Sequence, residues 1–212
     1  RFPGTLPPIW NVSNRNPNFT GREQLLADLH ATLASGKSAA LTALHGLGGI
    51  GKTQTAIEYA HRHASEYAIV WWMRSENLAT LASDLAQLAH ALDLAEKDTQ
   101  DQRIIIDAVQ RALRQRNDWL LIFDNATSQD AVHPFLPQGA GQILITSRHH
   151  AWKRIATPLE VTKLERGEAI DFLMKRTNSP PLSKTGEGWG GGDRDSANKL
   201  ANALGDLPLA LE

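Results

Sequence analysis

Two kinds of apolar segment alternate along the chain. Short runs in which almost every residue is apolar predict strands that are buried on both faces of a sheet, and longer segments with apolar residues every three or four positions predict helices. The strands are expected at 39–44, 67–73, 119–123, 141–148 and about 159–161. The helices are expected around 25–33, from 53 onwards, and at 78–92, 102–115, 166–177 and 195–204. This alternation predicts an α/β fold with a parallel sheet and a ligand site outside the carboxyl ends of its strands.

The pattern also divides the chain into three parts. Residues 1–18 are rich in Pro and Asn and predict an extended lead-in, residues 19–162 hold the alternating strands and helices, and residues 163–212 predict a helical subdomain. At the start of the first helix, Thr20 and Glu23 have the spacing of a capping box. A glycine-rich stretch at 179–192 lacks a lysine and a preceding strand, which favours a flexible connector over a second phosphate site.

Composition narrows the possible partners. The 212 residues carry a net charge of −1, which argues against a broad nucleic-acid interface because such an interface needs a basic face. The absence of cysteine excludes disulfides and thiolate metal sites and fits a cytoplasmic location. No apolar run is long enough for a membrane helix. The chain opens on Arg1 and ends at Glu212 within a predicted helix, so we expect it to be a piece of a longer protein.

A glycine-rich segment, residues 46–53, lies between the first predicted strand and a helix. It fits the pattern G-x-x-x-x-G-K-[ST] of a phosphate-binding P-loop, in the structural context that such a loop requires. Glycines allow a tight turn that directs successive N–H groups at phosphate oxygens, and the start of the helix adds further N–H groups. We expect the Lys52 ammonium to contact the β- and γ-phosphates and the Thr53 hydroxyl to bind Mg²⁺. The alternative is a glycine-rich turn that binds nothing.

Two later strands end in residues with complementary chemistry. The apolar run 121–123 leads into Asp124, which matches a Walker B strand and supplies a carboxylate for Mg²⁺. Asn125 follows where many ATPases have a second acid, and an amide can orient water but cannot accept its proton. At the end of the next strand, Arg148 could sense the γ-phosphate or stabilise its developing charge, and the alternative is a surface arginine. The histidine pairs at 61/63 and 149/150 have neither catalytic nor zinc spacing.

Five motifs in this order resemble the NB-ARC family of STAND signalling ATPases, relatives of apoptotic and plant immune receptors. The motifs are Phe19-Thr20-Gly21-Arg22-Glu23, the P-loop at 46–53, and the segments 121–125, 145–148 and 205–210. The chain looks most like bacterial members in which tetratricopeptide repeats follow the nucleotide-binding region. The resemblance implies a three-layer α/β/α P-loop NTPase fold with a five-stranded parallel sheet in the order 5-1-4-3-2, followed by the start of a small helical subdomain.

The resemblance also implies roles for individual residues. It places Phe19 to Arg22 against the adenine, with a backbone contact near Thr20, places Pro208 on the other side of the base, and makes Arg148 the sensor at the phosphates. The implied catalytic residues are Lys52, Asp124, Asn125 and Arg148, and the implied Mg²⁺ ligands are Thr53 and Asp124. The implied ATP/ADP-binding residues are Phe19, Thr20, Arg22, Gly46, Gly48, Gly49, Ile50, Gly51, Lys52, Thr53, Gln54, Pro208 and Leu209.

The implied function is a nucleotide-controlled switch in bacterial defence or signalling. The family alternates between an ADP-bound resting state and an ATP-bound state that self-associates, and its effector and winged-helix or repeat sensor domains would lie outside this chain. Asn125 departs from the two-acid form of the motif, which predicts slow hydrolysis. Three alternatives stay open: an AAA+-type remodelling ATPase, the switch of a STAND transcription regulator, and a scaffold that binds nucleotide only for stability.

Overall fold

One six-stranded parallel sheet organises the fold. The computed structural model describes residues 5–42, 49–176 and 191–208. The strands are β1 (Ile9–Trp10), β2 (Ala39–Thr42), β3 (Ile69–Arg74), β4 (Trp119–Ala126), β5 (Gln142–Ser147) and β6 (Thr157–Glu160). They lie in the order β1-β3-β4-β5-β2-β6, and all of the pairings are parallel. For the five predicted strands this is the expected order 5-1-4-3-2, so the predicted fold class and strand order are confirmed.

Helices cover both faces of this sheet. They are α1 (Glu23–Ala34), α2 (Lys52–Arg62), α3 (Leu78–Ala91), α4 (Gln102–Arg114), the single turn α5 (Gln129–Val132), α6 (Arg166–Arg176) and α7 (Gly191–Ala203). Two 3-10 turns, Ala64–Glu66 and His133–Phe135, complete the described elements. Among the described residues, no helix is long and apolar enough to cross a membrane.

The central strand β4 shows why the fold has three layers. Its residues Trp119 to Phe123 are all fully buried, because side chains that alternate along a strand contact both faces of the sheet. Trp119, Leu121 and Phe123 pack in the cluster that contains α3 and α4. Leu120 and Ile122 pack in the second cluster, with α1 and α2. A parallel sheet that is covered on both sides in this way has near-continuous apolar strands.

The expected number of strands was wrong by one, because β1 adds a strand at the edge of the sheet. This two-residue strand lies in the Pro- and Asn-rich lead-in and pairs with β3. Asn11 extends the pairing beyond it: its side-chain amide donates to the Trp72 carbonyl at 2.9 Å, and its Oδ1 accepts from the Trp72 N–H at 2.5 Å. The Asn11 side chain therefore continues the hydrogen bonding of a strand that is too short to be predicted from periodicity.

Two local expectations were also wrong. The capping box does not form, because α1 begins only at Glu23 after Arg22 adopts a left-handed conformation with φ 64°, and Thr20 donates its hydroxyl hydrogen bond to the Asn18 carbonyl at 2.9 Å. The last described helix, α7, begins at Gly191, four residues before its predicted start. The predicted connector at 179–192 lies mostly outside the described residues.

Candidate functional site

The loop that follows β2 brings the start of α2 to the carboxyl edge of the sheet. Residues 43–48, including Gly46 and Gly48, lie outside the described residues, and the description resumes at Gly49. Gly49 and Gly51 have φ values of 71° and 90°, a left-handed conformation that side chains disfavour. Gly51 occupies the N-cap of α2 and has no side chain to cap it. The first N–H groups of α2 therefore keep their capacity to bind an anionic ligand.

Lys52 begins this helix beside the other charged groups of the site. Burial lowers the pKa of the Lys52 ammonium below its ordinary value. The cations of Arg148 and Arg22 lower it further, whereas the Asp124 carboxylate raises it. A lysine whose charge is penalised by burial and by neighbouring cations is stabilised by an incoming polyanion.

Asp124 meets two hydroxyl groups at a bulge in the sheet. The register between β4 and β5 shifts between Phe123 and Ala126. The Asp124 Oδ1 accepts from the Thr53 hydroxyl at 3.0 Å and from the Thr146 hydroxyl at 2.6 Å. Hydroxyl and carboxylate oxygens are ligands that Mg²⁺ prefers, so these residues fit the predicted ion.

Asn125 occupies the other position of the bulge. Its φ of 57° is left-handed, which asparagine tolerates better than most residues, and its N–H donates to the Thr146 hydroxyl at 2.9 Å. The Asn125 side chain is exposed and points its amide towards Glu76, with 3.3 Å between Nδ2 and Oε2. At the position where many ATPases have a second acid, this chain therefore has the amide of Asn125, which contacts the carboxylate of Glu76 from the loop after β3.

A cavity of about 420 Å³ connects these groups. Most of its lining comes from predicted site residues, to which the structure adds Arg74, Glu76 and Thr146. The full lining is Gly49, Ile50, Gly51, Lys52, Thr53, Gln54, Arg74, Glu76, Asp124, Asn125, Thr146, Arg148 and Pro208. Its three cationic side chains and the start of a helix fit a polyphosphate.

A smaller slot of about 30 Å³ shares part of this lining. Gly51, Gln54 and Pro208 belong to both spaces, which therefore meet. The slot is otherwise lined by Asn16, Phe19, Thr20, Arg22, Leu164 and Phe172. Its aromatic and aliphatic walls have the chemistry that packs on a planar base, although the slot would have to widen to admit one. Phe19, Thr20 and Pro208, for which the resemblance implies a contact with adenine, line this slot. The predicted contact Leu209 lies outside the described residues.

Arg22 joins three segments at the edge of this slot. Its guanidinium donates to the Ile50 carbonyl, to the Thr55 hydroxyl at 3.1 Å and to the Thr162 carbonyl at 3.3 Å. Its backbone N–H donates to Glu168 Oε1 at 2.7 Å. Burial lowers the pKa of Arg22 to about 10, and the Glu168 carboxylate opposes this shift. Arg22, for which the resemblance implies a nucleotide contact, thus lines the slot and also connects the loop at Ile50 to the start of the helical part of the chain.

Sequence reasoning missed several of the residues described above. Arg74 is the last residue of β3, and Glu76 lies two residues further on. Arg148 was identified by its place at the end of a strand, and the same criterion applied to β3 would have identified these two residues. No sequence pattern connects Glu168 or Phe172 to the site, because helix α6 brings them there from more than 100 residues away.

Among the described residues, no histidine lines either of these two cavities. His61 donates from Nε2 to the Ser13 carbonyl at 2.8 Å, and its ring contacts the ring of Trp10. His63 stacks on His30 with ring centroids 4.1 Å apart and only 12° between the planes, and its Nδ1 lies 2.6 Å from Glu66. Parallel rings direct their nitrogen lone pairs along parallel planes instead of at one point, so this cluster is a packing contact between α1 and the end of α2.

The strand order, the helix that starts at Gly51-Lys52 and the acid at the end of β4 define the P-loop NTPase class. Solved structures support this fold. A STAND protein with a tetratricopeptide repeat sensor from Pyrococcus horikoshii has a TM-score of 0.61 at 18% identity, covering 95% of this chain and 30% of that chain. Cdc6p from Pyrobaculum aerophilum has a TM-score of 0.58 at 16% identity, covering 95% of this chain and 61% of that chain.

The chain belongs to the NB-ARC family, whose domain model matches residues 22–183. It is 29% identical over 208 residues to the regulatory protein AfsR of Streptomyces griseus, covering 92% of this chain and 20% of that protein. It is 26% identical over 222 residues to a nucleotide-binding leucine-rich repeat (NLR)-like protein of Hyaloscypha variabilis, covering 93% of this chain and 22% of that protein. The chain thus spans about a fifth of the length of the curated relatives it matches.

Proposed function

We propose that this region is the ATP- and ADP-binding core of a STAND switch that acts in the cytoplasm in bacterial defence or signalling. It binds the nucleotide with Mg²⁺, hydrolyses ATP slowly and controls the self-association of a longer protein. Effector and sensor domains of that longer protein would respond to the exchange of ADP for ATP. The predicted division at 163 supports a two-part switch, since residues beyond it form their own apolar cluster around Phe172 and Ala201.

One observation carries the proposal: a polar cationic cavity and an apolar slot meet at Gly51, Gln54 and Pro208. A nucleotide has the same two-part chemistry, with a charged polyphosphate and a planar base. The slot is walled on one side by the segment before α1 and on the other by the helical part. A ligand that fills both spaces therefore contacts both parts of the chain and can change the way in which they pack together.

Differential affinity for two conformations is the only means by which a ligand can operate such a switch. ADP and ATP differ by one phosphate, so Lys52, Arg148 and the metal at Asp124 must supply most of the difference. A hydrogen bond to a charged group contributes about 1.5–3 kcal/mol, or roughly 10- to 150-fold in affinity. Loss of one such contact is within the range of a calorimetric titration.

Lys52→Ala tests the phosphate site. We expect its affinity for ADP to fall at least roughly 10-fold in isothermal titration calorimetry, because the ammonium contact to the phosphates is lost. Lys37→Ala, which removes an exposed lysine before β2, is the matched control and should bind ADP like the unmodified chain. Unchanged ADP affinity in Lys52→Ala would contradict the proposed site.

One rival is an AAA+-type ATPase that remodels a client, which the shared fold alone does not distinguish from a switch. A remodeller would release phosphate over many turnovers per minute, whereas a switch would turn over slowly, so steady-state phosphate release separates the two. A second rival is a switch that controls transcription, and the likeness to AfsR, a regulatory protein, is compatible with it. In that case we expect this region to bind nucleotide and not DNA, since its net charge is −1.

A further inference from the structure

Hydrolysis of ATP is accelerated by a group that positions the attacking water and by a base that accepts its proton. Asn125 can position water, but its amide cannot accept a proton at neutral pH. With Asp124 assigned to the metal, a base for the proposed hydrolysis must come from outside the Walker B segment. The carboxylate closest to Asn125 in the described hydrogen bonds is Glu76, which reaches the cavity from the loop after β3.

Glu76 lines the same cavity as Lys52, Asp124 and Arg148. Asn125 donates from Nδ2 to Glu76 Oε2 at 3.3 Å, so an acid and an amide from neighbouring strands stand side by side at the cavity wall. Asp124 and Glu76 thus provide the two carboxylates of a two-acid motif, with the second carboxylate at the exit of the neighbouring strand β3. A water molecule beside the pair could donate to the carboxylate and be oriented by the amide.

The backbone around Glu76 is fixed on both sides. Ser75 donates its N–H to the Asp124 carbonyl at 2.8 Å, which extends the pairing of β3 with β4 by one residue. Asn77 caps α3 by accepting from the Thr80 N–H at 2.8 Å. The residue between a strand end and a helix cap has little freedom to move, and a catalytic carboxylate needs such a restrained position.

The neighbouring cation is satisfied by another acid. Arg74 donates to both carboxylate oxygens of Asp84, at 2.6 and 3.1 Å, and its N–H donates to Asp84 Oδ2 at 2.8 Å. Glu76 lies close enough to raise the pKa of Arg74 further, after the larger effects of Asp84. The direct ion pair nevertheless goes to Asp84, so Glu76 is not needed to neutralise this arginine.

We propose that Glu76 is the general base of ATP hydrolysis in this protein and that Asn125 positions the attacking water. The inference rests on the proposed function. The water oxygen forms a bond to the γ-phosphorus while its proton passes to the Glu76 carboxylate. The bond between the γ-phosphorus and the bridging oxygen breaks, and its electron pair stays with ADP. Glu76 then returns the proton to solvent, so the step uses one water and no other reactant.

The test compares single-turnover hydrolysis of Mg²⁺-ATP with ATP binding in the same set of variants. General-base catalysis contributes about 10²- to 10⁴-fold, so Glu76→Gln should hydrolyse at least roughly 100-fold more slowly. Its affinity for ATP should stay within about threefold, because a base acts on the reaction and not on ground-state binding. Glu160→Gln makes the same change at an exposed strand end outside the cavity and should behave like the unmodified chain.

Two further variants separate catalysis from folding. Glu76→Asp keeps a carboxylate with a shorter reach and should fall between Glu76→Gln and the unmodified chain. Adding Asn125→Asp to Glu76→Gln places an acid at the usual position and should restore part of the rate.

The outcomes distinguish the two proposals. Hydrolysis by Glu76→Gln at the rate of the unmodified chain would overturn the role of Glu76. An unmodified chain that binds ATP and hydrolyses none would overturn it as well, although nucleotide binding itself would stand. Failure of the unmodified chain to bind either ADP or ATP would instead refute the proposed function and the base assignment together.

Discussion

Gly21→Ala tests whether a contact between the turn before α1 and helix α6 holds the two parts of the protein together. Gly21 has a left-handed φ of 71°, and a Cβ built there would lie 2.1 Å from Glu168 Oε1. Glu168 can avoid the methyl group only by rotating away. In doing so it would lose its hydrogen bonds to the N–H of Arg22 at 2.7 Å and to that of Glu165 at 3.0 Å.

The magnitude follows from two separate effects. A non-glycine residue in the left-handed region costs about 1–2 kcal/mol, and loss of the part-buried hydrogen bond to Arg22 costs about 1.5–3 kcal/mol, whereas water can replace the exposed bond to Glu165. We therefore expect Gly21→Ala to lower the free energy of unfolding by about 2.5–5 kcal/mol. Gly36→Ala is a matched control, because Gly36 has a φ of 78° with nothing within 4 Å of a built Cβ. Gly36→Ala should therefore lower the free energy of unfolding only by the cost of the left-handed backbone, about 1–2 kcal/mol.

Urea unfolding followed by circular dichroism gives the free energies, and a double-mutant cycle isolates the contact. With Glu168→Ala already in place, no carboxylate is left to collide, and Gly21→Ala should cost only as much as Gly36→Ala. The reasoning fails if Gly21→Ala costs the same in both backgrounds. ADP affinity, measured in parallel, should fall in Gly21→Ala and not in Gly36→Ala, since only the first variant disturbs the wall of the slot.

Two further predictions concern the metal site and the response to acid. Asp124→Asn should weaken Mg²⁺-ATP binding by roughly 10-fold or more and Mg²⁺-free ADP binding much less, because only the first uses the carboxylate; equal losses in calorimetry would exclude the metal role. Burial alone would raise the pKa of Glu58, but hydrogen bonds from Arg15 and Arg62 outweigh it and hold the pKa below the ordinary carboxyl value. A pKa that is lower in the folded state stabilises the protein above the unfolded pKa, and this stabilisation is lost as pH falls through the folded pKa. Glu58→Gln should therefore lower the free energy of unfolding by about 3–5 kcal/mol at pH 7 and by less at pH 3. Glu96→Gln, which changes a partly exposed ion pair, should lower it by under about 1 kcal/mol. Parallel pH profiles of stability for the two variants would contradict this account.

Local pattern predicted the main strands and helices of the α/β part because apolar strands and amphipathic helices alternate between residues 39 and 160, whereas the strand order came from the resemblance to the NB-ARC family. It failed where tertiary contacts decide. Thr20 and Glu23 have capping-box spacing, but the left-handed turn at Gly21-Arg22 starts the helix later, and Glu23 pairs with Arg62 instead. β1 is too short for periodicity, and its pairing depends on a side chain, Asn11.

The predicted site residues show the same division. Lys52, Thr53, Asp124 and Arg148 could be located from sequence because a strand exit is a local signal and parallel strands bring all their exits to one edge. Glu168 could not be located from sequence, since its contact with Arg22 depends on where α6 packs. The resemblance implies that the segment with Arg22 lies against the base, and Arg22 does line the slot. The sequence did not predict that its guanidinium also donates to the Ile50 and Thr162 carbonyls. The motif was recognisable, and the contacts of its arginine were not.

This arrangement has a quantitative consequence for the proposed switch. Reversing a two-state population from 1:99 to 99:1 requires a difference in binding of about 5.5 kcal/mol, and one charge-assisted contact provides about 1.5–3 kcal/mol. Two to four contacts must therefore distinguish ATP from ADP. The cavity offers Lys52, Arg148 and the metal donors at Asp124. These groups reach the required difference of about 5.5 kcal/mol only if their contributions add together. Because Pro208 lines both this cavity and the slot, the helical part is placed to report their combined effect, and no single side chain at the phosphates need carry the whole signal.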